Sequence, residues 1–486
     1  GAIVFGASDK TVNTTFDVGM LSKKAGSSAF NFQNGEVTLT GVMADGIRIQ
    51  PFNVGRNSEN VALSAASAIV NIAAGAVVNT HQTYIAENDG VNEHTLNVYG
   101  TLNAMTSIFH KMQGNLNIYG TVTGDYMQGA GNVLVSGKEA TLNLAGAGSN
   151  GSLQIGRTGR TFRIADGGTV IAGGKVQIGY SGYNGTVEIT GGGRLEAQSI
   201  AVNGRSTLTL DHTASLSFGS ITKAANATIT VDLSGYTDQF ALLIENTGSD
   251  ATDYASLISN WNELEAAGCT VVGNDLFLGE VDMTVFKVDA GWNGSEFTEE
   301  VAPGYRYGIN AFDNISAAVA ASDSSEIMVV GGTFDGNQFF DGHSAVIAGT
   351  AENEVVVNGY IFGGAYNGNT GDASVKITGG SVRRVYGAGS YDQAGTYTAG
   401  DIAVEIAEGV TIGERVGAAK VDAGNLTTGD VTITSAGDMT NLFGGAQVWY
   451  KGSSATHKSV TVNLTGEMSD VVYAAGQAMH GGWIIV

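Results

Sequence analysis

The stretch Lys175–Glu196, KVQIGYSGYNGTVEITGGGRLE, limits what this chain can fold into more than any other. Two segments in it, Val176-Gln177-Ile178 and Val187-Glu188-Ile189, run apolar, polar, apolar. Each reads as a short strand with one face toward a core and one toward water. Glycines close both: Gly179, Gly182 and Gly185 after the first, Gly191 to Gly193 after the second. The unit recurs upstream as Leu153-Gln154-Ile155-Gly156, a turn, then Phe162-Arg163-Ile164 and Gly167-Gly168. The repeat distance is 23 residues from Leu153 to Val176 and 25 from Phe162 to Val187. One such unit cannot bury its own apolar face, whereas stacked copies can, and that is the logic of an all-β, β-solenoid fold.

Composition agrees. Glycine is 72 of 486 residues but proline only 2, which excludes collagen, and 43% apolar residues argue against disorder. Glycine with Asn, Thr and Ser suits many strands joined by turns that need positive φ. The net charge of −23 makes nucleic acid an unsuitable partner, because a phosphate binder needs a basic stripe. An acidic surface keeps a long rod in solution and attracts divalent cations. Cys269 is the only cysteine, so no intrachain disulfide or cysteine metal site can form. There is no run of 18 apolar residues, hence no transmembrane segment is expected. Gly1 opens the chain without a signal peptide, and the apolar end Gly481-Gly482-Trp483-Ile484-Ile485-Val486 stops in mid-pattern. The chain therefore reads as a processed or truncated piece of something longer, with its second solenoid continuing further.

A first solenoid is expected over residues 1–235. Alternation begins in GAIVFGASDKTVN and in Ala29–Thr40, and sharpens at Leu96-Asn97-Val98-Tyr99-Gly100, which returns 20 residues on as Leu116-Asn117-Ile118-Tyr119-Gly120. Leu142-Asn143-Leu144, Phe162-Arg163-Ile164, Val187-Glu188-Ile189 and Leu208-Thr209-Leu210 read as later rungs, with Ala227–Leu233 the last. Outward residues then recur: Asn97, Asn117 and Asn143 as an asparagine ladder, Tyr99 and Tyr119 as a stacked pair. The tyrosines serve either as rung-to-rung support or as a platform for a sugar ring. Arg157, Arg160 and Arg163 fall close together, and either contact an anionic glycan or pair with Asp166 and Glu188.

Residues 236–302 read as a helix-containing cap and linker. Tyr254, Leu257, Ile258, Trp261 and Leu264 recur at helical spacing before Gly268, and predict one amphipathic helix closing the end of the first solenoid. Cys269–Val272 and Leu276–Leu278 flank a hairpin turn at Gly273-Asn274-Asp275, with Cys269 buried. Pro303 then opens a second solenoid over 303–486. It begins with a helix, Asn310–Ala321, for which Asn310 is the candidate N-cap. Its rungs share an apolar–aromatic–small–small signature: Ile361-Phe362-Gly363-Gly364, Val385-Tyr386-Gly387-Ala388, Val416-Gly417-Ala418, Leu442-Phe443-Gly444-Gly445 and Val472-Tyr473-Ala474-Ala475. Gly417 aligns with Gly387 in this reading, and the aromatics stack along the core.

The unit IGYSGYNGTVEITGGGRL resembles the glycine-rich repeats of bacterial autotransporter-type passenger domains and cell-surface adhesins. The stretch NAFDNISAAVAASDSSEIMVVGGTF resembles the entry of right-handed parallel β-helices of the pectate-lyase-like superfamily. These resemblances imply a right-handed parallel β-helix, exported to the bacterial surface, outer-membrane-associated and often adhesive; they carry no functional residues over. The β-helix carbohydrate enzymes use clustered carboxylates. The one concentration here is Asp335, Asp341 and His343, with Arg383 and Arg384 further on, and it matches no lyase or glycosidase motif. No HExxH, P-loop or calcium nonapeptide is present. No cofactor is implied; calcium is the ion that an acidic turn holding Asp250 and Asp253 could take.

The reading is a secreted bacterial surface protein of two tandem β-solenoids, structural or adhesive rather than an enzyme. Its partners are further copies of itself, surface glycans or other cells, and it builds fibres or a surface layer. One alternative is a polysaccharide lyase or glycoside hydrolase; another is an autotransporter stalk carrying an effector elsewhere.

Overall fold

The structure, a computed structural model, describes residues 3–6, 11, 13–16, 21–23, 30–39, 52–54, 67–85, 93–110, 114–129, 131–146, 152–156, 159–237, 240–322, 326–480 and 483–485. Arg157, Ala29, Thr40, parts of the opening segment 1–13, and Gly481, Gly482 and Val486 lie outside the described residues. The chain is nearly all-β and divides into two units, Gly1–Glu280 and Val281–Val486.

In the first unit, short strands stack in three parallel ladders. The inward column of the first runs Val70, Leu96, Leu116, Val133, Phe162, Val187, Leu208, Ile229. That of the second runs Val78, Leu102, Val122, Leu142, Val170, Leu195, Leu216, Ile244. The third passes through Ile108, Met127, Leu153, Val176 and Ile200. All of these side chains are buried, and each contributes about 1.5–3 kcal/mol by leaving water. Alternation along each strand turns the neighbours outward, so the same pattern that fills the core paints the surface.

Two expectations need correction here. Leu142-Asn143-Leu144 belongs to the second ladder, and the rung that follows Leu116 in the first is Val133-Leu134-Val135. Its outward residue is a leucine, so it lacks the polar middle that marks the other rungs. Asn143 therefore pairs with Thr123 and not with the column of Asn97 and Asn117.

Corners are set by size. At Gly120 a Cβ would stand 2.3 Å from the Gly100 carbonyl oxygen and 2.5 Å from that of Tyr99. Backbones approach too closely there for any side chain.

The end of the first unit is closed by two short helices, α1 (Tyr254–Leu257) and α2 (Trp261–Ala266), where the spacing predicts one. The break between them has a cause. Ser259 and Asn260 turn onto the last strand of the first ladder, Thr228–Asp232. The Ser259 amide donates to the Ile229 carbonyl (2.7 Å), and the Ile229 amide donates to Ser259 Oγ (3.3 Å). Asn260 accepts from the Val231 amide (3.1 Å) and donates to its carbonyl (2.9 Å). Cys269–Val272 and Asp275–Leu278 then form the expected antiparallel hairpin. Cys269 is only half-buried; burial and then Glu265 push its thiol pKa up, so the group stays protonated.

The second unit begins earlier than Pro303. Val285–Asp289 pairs in parallel with Glu326–Phe334, so Val281–Ala302 belongs to this unit and not to a separate linker. The inward column runs Phe286, Ile327, Ala345, Val375, Val404, Ile433, Val462. The entry helix α3 is shorter than expected, Ile315–Ala321, and its N-cap is Asn314, which accepts from the Ala317 amide (2.8 Å). Asn310 is instead fully buried, accepting from the Arg306 amide and donating to the carbonyls of Asp282 and Gly304.

The aromatic signature holds with one shift. Phe362 and Tyr386 stack at 5.2 Å, and Phe443 and Tyr473 at 5.4 Å. Gly417 pairs with Tyr386 and Phe443, so it occupies the aromatic position and not that of Gly387. The space it leaves lets the buried Tyr386 hydroxyl cross that rung and donate to Gln447 Oε1 (3.0 Å).

Candidate functional site

The outer faces carry ladders of like side chains. Asn71 donates to Asn31 (2.7 Å), Asn97 to Asn71 (2.8 Å) and Asn117 to Asn97 (2.8 Å). A second set joins Asn79, Asn103 and Thr123. An amide carries both a donor and an acceptor, so a parallel in-register column satisfies each neighbour in turn. Tyr99 and Tyr119 stack beside the first column, with centroids 4.9 Å apart and planes within 11°. Their stacking supplies rung-to-rung contact, and Tyr99 remains 48% exposed.

Arg160 and Arg163 are engaged, while Arg157 lies outside the described residues. Arg163 pairs with Glu188, as expected, and Arg160 with Glu93 (2.9 Å), a partner 67 residues away that local reading does not reach. Asp166 instead accepts from Ser136.

The concentration around Asp335 does not converge. Asp335 accepts from Asn358 (2.8 Å), Asp341 lies in a left-handed turn at φ 54°, and His343 meets Ser322 at 3.4 Å. Arg383 and Arg384 share Glu414, and the Arg384 guanidinium lies 4.4 Å over the Tyr360 ring. Burial pushes the Glu414 carboxyl up, but the two arginines outweigh it and hold the group below its usual range. No hydrogen bond or ion pair among the described residues joins any two of Asp335, Asp341, His343, Arg383 and Arg384.

Sequence reasoning missed an aspartate column. The Asp401 amide donates to Asp372 Oδ1 and the Asp430 amide to Asp401 Oδ1, both at 2.8 Å and both 29 residues apart. Ser459 and Lys458 end the column on Asp430. The signal was present as Gly-Asp at 371, 400 and 429. A shallow cavity of about 410 Å³ runs beside these aspartates, lined also by Ser344, Ala373, Ser374, Ile402 and Thr432.

At the turn read as a calcium candidate, Asp253 caps α1 through Ser256, whose hydrogen bonds hold its carboxyl low. Asp250 contributes its backbone carbonyl to Asn246 (2.8 Å). Both line a cavity of about 350 Å³. Among the described residues no three His, Cys, Asp or Glu side chains are grouped to hold a metal ion.

One buried histidine stands apart. His457 accepts from the Ala446 amide at Nε2 (3.0 Å), so Nδ1 carries the proton and donates to Thr428 Oγ1 (2.8 Å). Burial pulls its pKa down to about 4.

Compared with models of protein families, with curated proteins and with solved structures, the chain finds no match in any of the three.

Proposed function

We propose that the two units are right-handed parallel β-helices, and that the protein is a secreted structural or adhesive rod of the bacterial surface that associates into fibres or a layer. The observation that carries this reading is the longitudinal pairing of outward side chains. Asn31, Asn71, Asn97 and Asn117 bond side chain to side chain along the stack, and the carboxylates of Asp372 and Asp401 each accept from the backbone amide of the aspartate one rung on. Polar groups spent on their own equivalents one rung away stiffen a rod; a catalytic centre needs unlike groups brought to one point.

The edge of the second unit supports association. Among the described residues, the strands Val472–Tyr473, Gln477–Ala478 and Trp483–Ile485 each pair on one side. Trp483 is 69% exposed and Ile485 57%. Such an edge accepts a further strand, from a following segment of the polypeptide or from another copy.

Negative-stain electron microscopy at physiological salt, with and without calcium, tests the reading. Ordered fibres or sheets are expected. Isolated short particles at every concentration would overturn assembly as the function, and a screen of acidic and neutral glycans for cleavage would then take priority.

A further inference from the structure

We propose that the Asn293-Gly294 pair of the second unit is a site of spontaneous modification, where the folded protein converts asparagine to aspartate and isoaspartate. Asn-Gly occurs at 34, 150, 184, 203, 293, 358 and 367. A glycine in second place leaves its backbone nitrogen without a Cβ to shield it. Asn150 lies outside the described residues. What separates the other pairs is how each is held.

The reaction begins with attack of the Gly294 nitrogen on Asn293 Cγ. The N–Cγ bond forms, the Cγ–Nδ2 bond breaks, and the Gly294 amide proton leaves with Nδ2 as ammonia. Water then opens the cyclic imide. Addition at Cγ yields aspartate, and addition at the main-chain carbonyl carbon yields isoaspartate. Nothing is oxidised or reduced, and water is the only co-reactant. Each event adds one negative charge to the chain.

Asn293 and Gly294 are the central residues of a turn that follows the single helical turn Ala290–Trp292. The Ser295 amide donates to the Trp292 carbonyl (3.0 Å). With Asn293 at φ −56° and ψ 125° and Gly294 at φ 91°, this is a type II turn. Both residues are exposed. Among the described residues, no hydrogen bond engages the Asn293 side chain, the Asn293 carbonyl or the Gly294 amide. The attack needs rotation about the Asn293 Cα–C bond, and nothing opposes it. Types I and II interconvert by turning that one peptide unit while the Trp292–Ser295 bond persists. Even a Cβ built at Gly294 would meet no atom within 4 Å.

The other described pairs are tied. Asn184 Oδ1 accepts from the Arg205 amide (3.0 Å), and the Gly185 amide donates to Ser206 Oγ (2.9 Å). Asn367 Oδ1 accepts from the amides of Asp392 (2.8 Å) and Gln393 (3.3 Å), and its Nδ2 donates to the Asp392 carboxylate (2.6 Å). Asn203 Nδ2 donates to the Gly179 carbonyl (2.9 Å), and the Asn203 carbonyl accepts from the Ser206 amide (3.1 Å). Asn358 donates to Asp335 (2.8 Å) from within the strand Val355–Phe362, and Asn34 lies within the strand Phe30–Leu39. At these pairs the attack waits for local opening, and two hydrogen bonds to break slow it about tenfold or more.

Peptide mapping by mass spectrometry tests the proposal, on protein held for days in mildly alkaline buffer, folded or unfolded in urea. Trypsin cuts after Lys287 and Arg306, and the peptide Val288–Arg306 contains Asn293 as its only asparagine and no glutamine. In the folded protein this peptide is expected to gain the mass difference between an amide and a carboxyl and to split into two chromatographic forms. Its rate should lie within about threefold of the unfolded rate, as for a site that needs no opening. Asn184 and Asn367 should convert about tenfold or more slowly than in urea. Asn293→Gln, which needs a larger ring, should leave the peptide unchanged while melting as wild type does. The proposal is overturned if folding slows Asn293 as much as Asn184 and Asn367, if either of those converts first in the folded protein, or if the peptide of Asn293→Gln converts at the wild-type rate. Assembly into fibres plays no part in the argument, and particles that never associate would still modify themselves here.

Discussion

Among the described residues the last rungs of the two units differ. In the first, the final strand Thr228–Asp232 meets Ser259 and Asn260, which occupy the amides and carbonyls of Ile229 and Val231. An antiparallel hairpin, Cys269–Leu278, joins Ala241–Asn246 and interrupts the parallel order of the second ladder. In the second unit, Ser454–Leu464 is followed by the one-sided strands that end at Ile485, with apolar side chains facing water. Parallel ladders give no internal stop, since every strand is a template for the next. A stop must be added, and in the first unit it consists of two residues, Ser259 and Asn260, whose side chains and the Ser259 amide imitate the backbone of a further rung.

The largest way to break that contrast is to remove the imitation. In Ser259→Ala/Asn260→Leu, the Val231 amide and carbonyl and the Ile229 amide lose their partners. At about 1–3 kcal/mol for each of the three groups left unpaired, the first unit should lose roughly 3–9 kcal/mol. Its edge should also become adhesive, visible as concentration-dependent light scattering at temperatures where the wild type is stable. A melting temperature within error of wild type would show that water satisfies the strand equally well and that the cap is ornamental.

Acid should sharpen the contrast from the other side. His457 lies on Ser454–Leu464, next to the open strand Trp483–Ile485, and burial lowers its folded pKa from 6.5 to about 4. The unfolded chain therefore takes up this proton first. The contribution of His457 is complete above about pH 6.5 and is lost as the pH falls toward 4. The full span is worth at most about 3 kcal/mol, with protonation also forcing a second N–H onto the Ala446 amide that now donates to Nε2. Hydrogen exchange at pH 7 and pH 4.5 should show the amides of Ser454–Leu464 opening in acid, with those of Thr228–Asp232 unchanged. In His457→Gln the dependence should flatten even where stability falls. Equal acid loosening in both units would assign the effect to general charge and not to this ring.

How much of this was legible depends on what a residue signals by itself. Alternation around Val187-Glu188-Ile189 identified the strands, because a half-buried strand needs it. The hairpin at Gly273-Asn274 and the stacking of Tyr99 on Tyr119 were equally readable, being local or separated by one regular repeat. Val133-Leu134-Val135 escaped because its outward position is apolar. Val285–Asp289 escaped because its partners, at Glu326–Phe334, lie beyond a hairpin and a helix. The two asparagines near α3 exchanged roles for a reason no pattern shows: Asn310 has three backbone groups to satisfy in the core, and capping falls to Asn314. For the sites, single residues misled where columns would have informed. Asp335, Asp341 and His343 are near in sequence and unconnected in space, whereas Asp372, Asp401 and Asp430 are far apart in sequence and hydrogen-bonded.

The smallest test concerns how each unit holds its rungs together. The first stacks amides outside, in columns such as Asn71, Asn97 and Asn117; the second stacks rings, in a column interrupted at Gly417. By the repeat signature, Gly417→Phe should restore a continuous aromatic column and stabilise. By the packing it should do the reverse. A Cβ at Gly417 already comes within 3.5 Å of both the Tyr386 ring and Phe443 Cβ. A phenyl group would displace the Tyr386 hydroxyl from Gln447, and overpacking of this kind costs about 1–3 kcal/mol. Tyr386→Phe separates the two contributions, since it keeps the ring and removes only the hydrogen bond, for about 1 kcal/mol. Chemical denaturation of the three chains decides between them. If Gly417→Phe melts above wild type, rungs in this unit are interchangeable and the gap is an accident of sequence. If it falls below Tyr386→Phe, the gap is part of the fold, and one tyrosine spans two rungs because the rung between them has no side chain there.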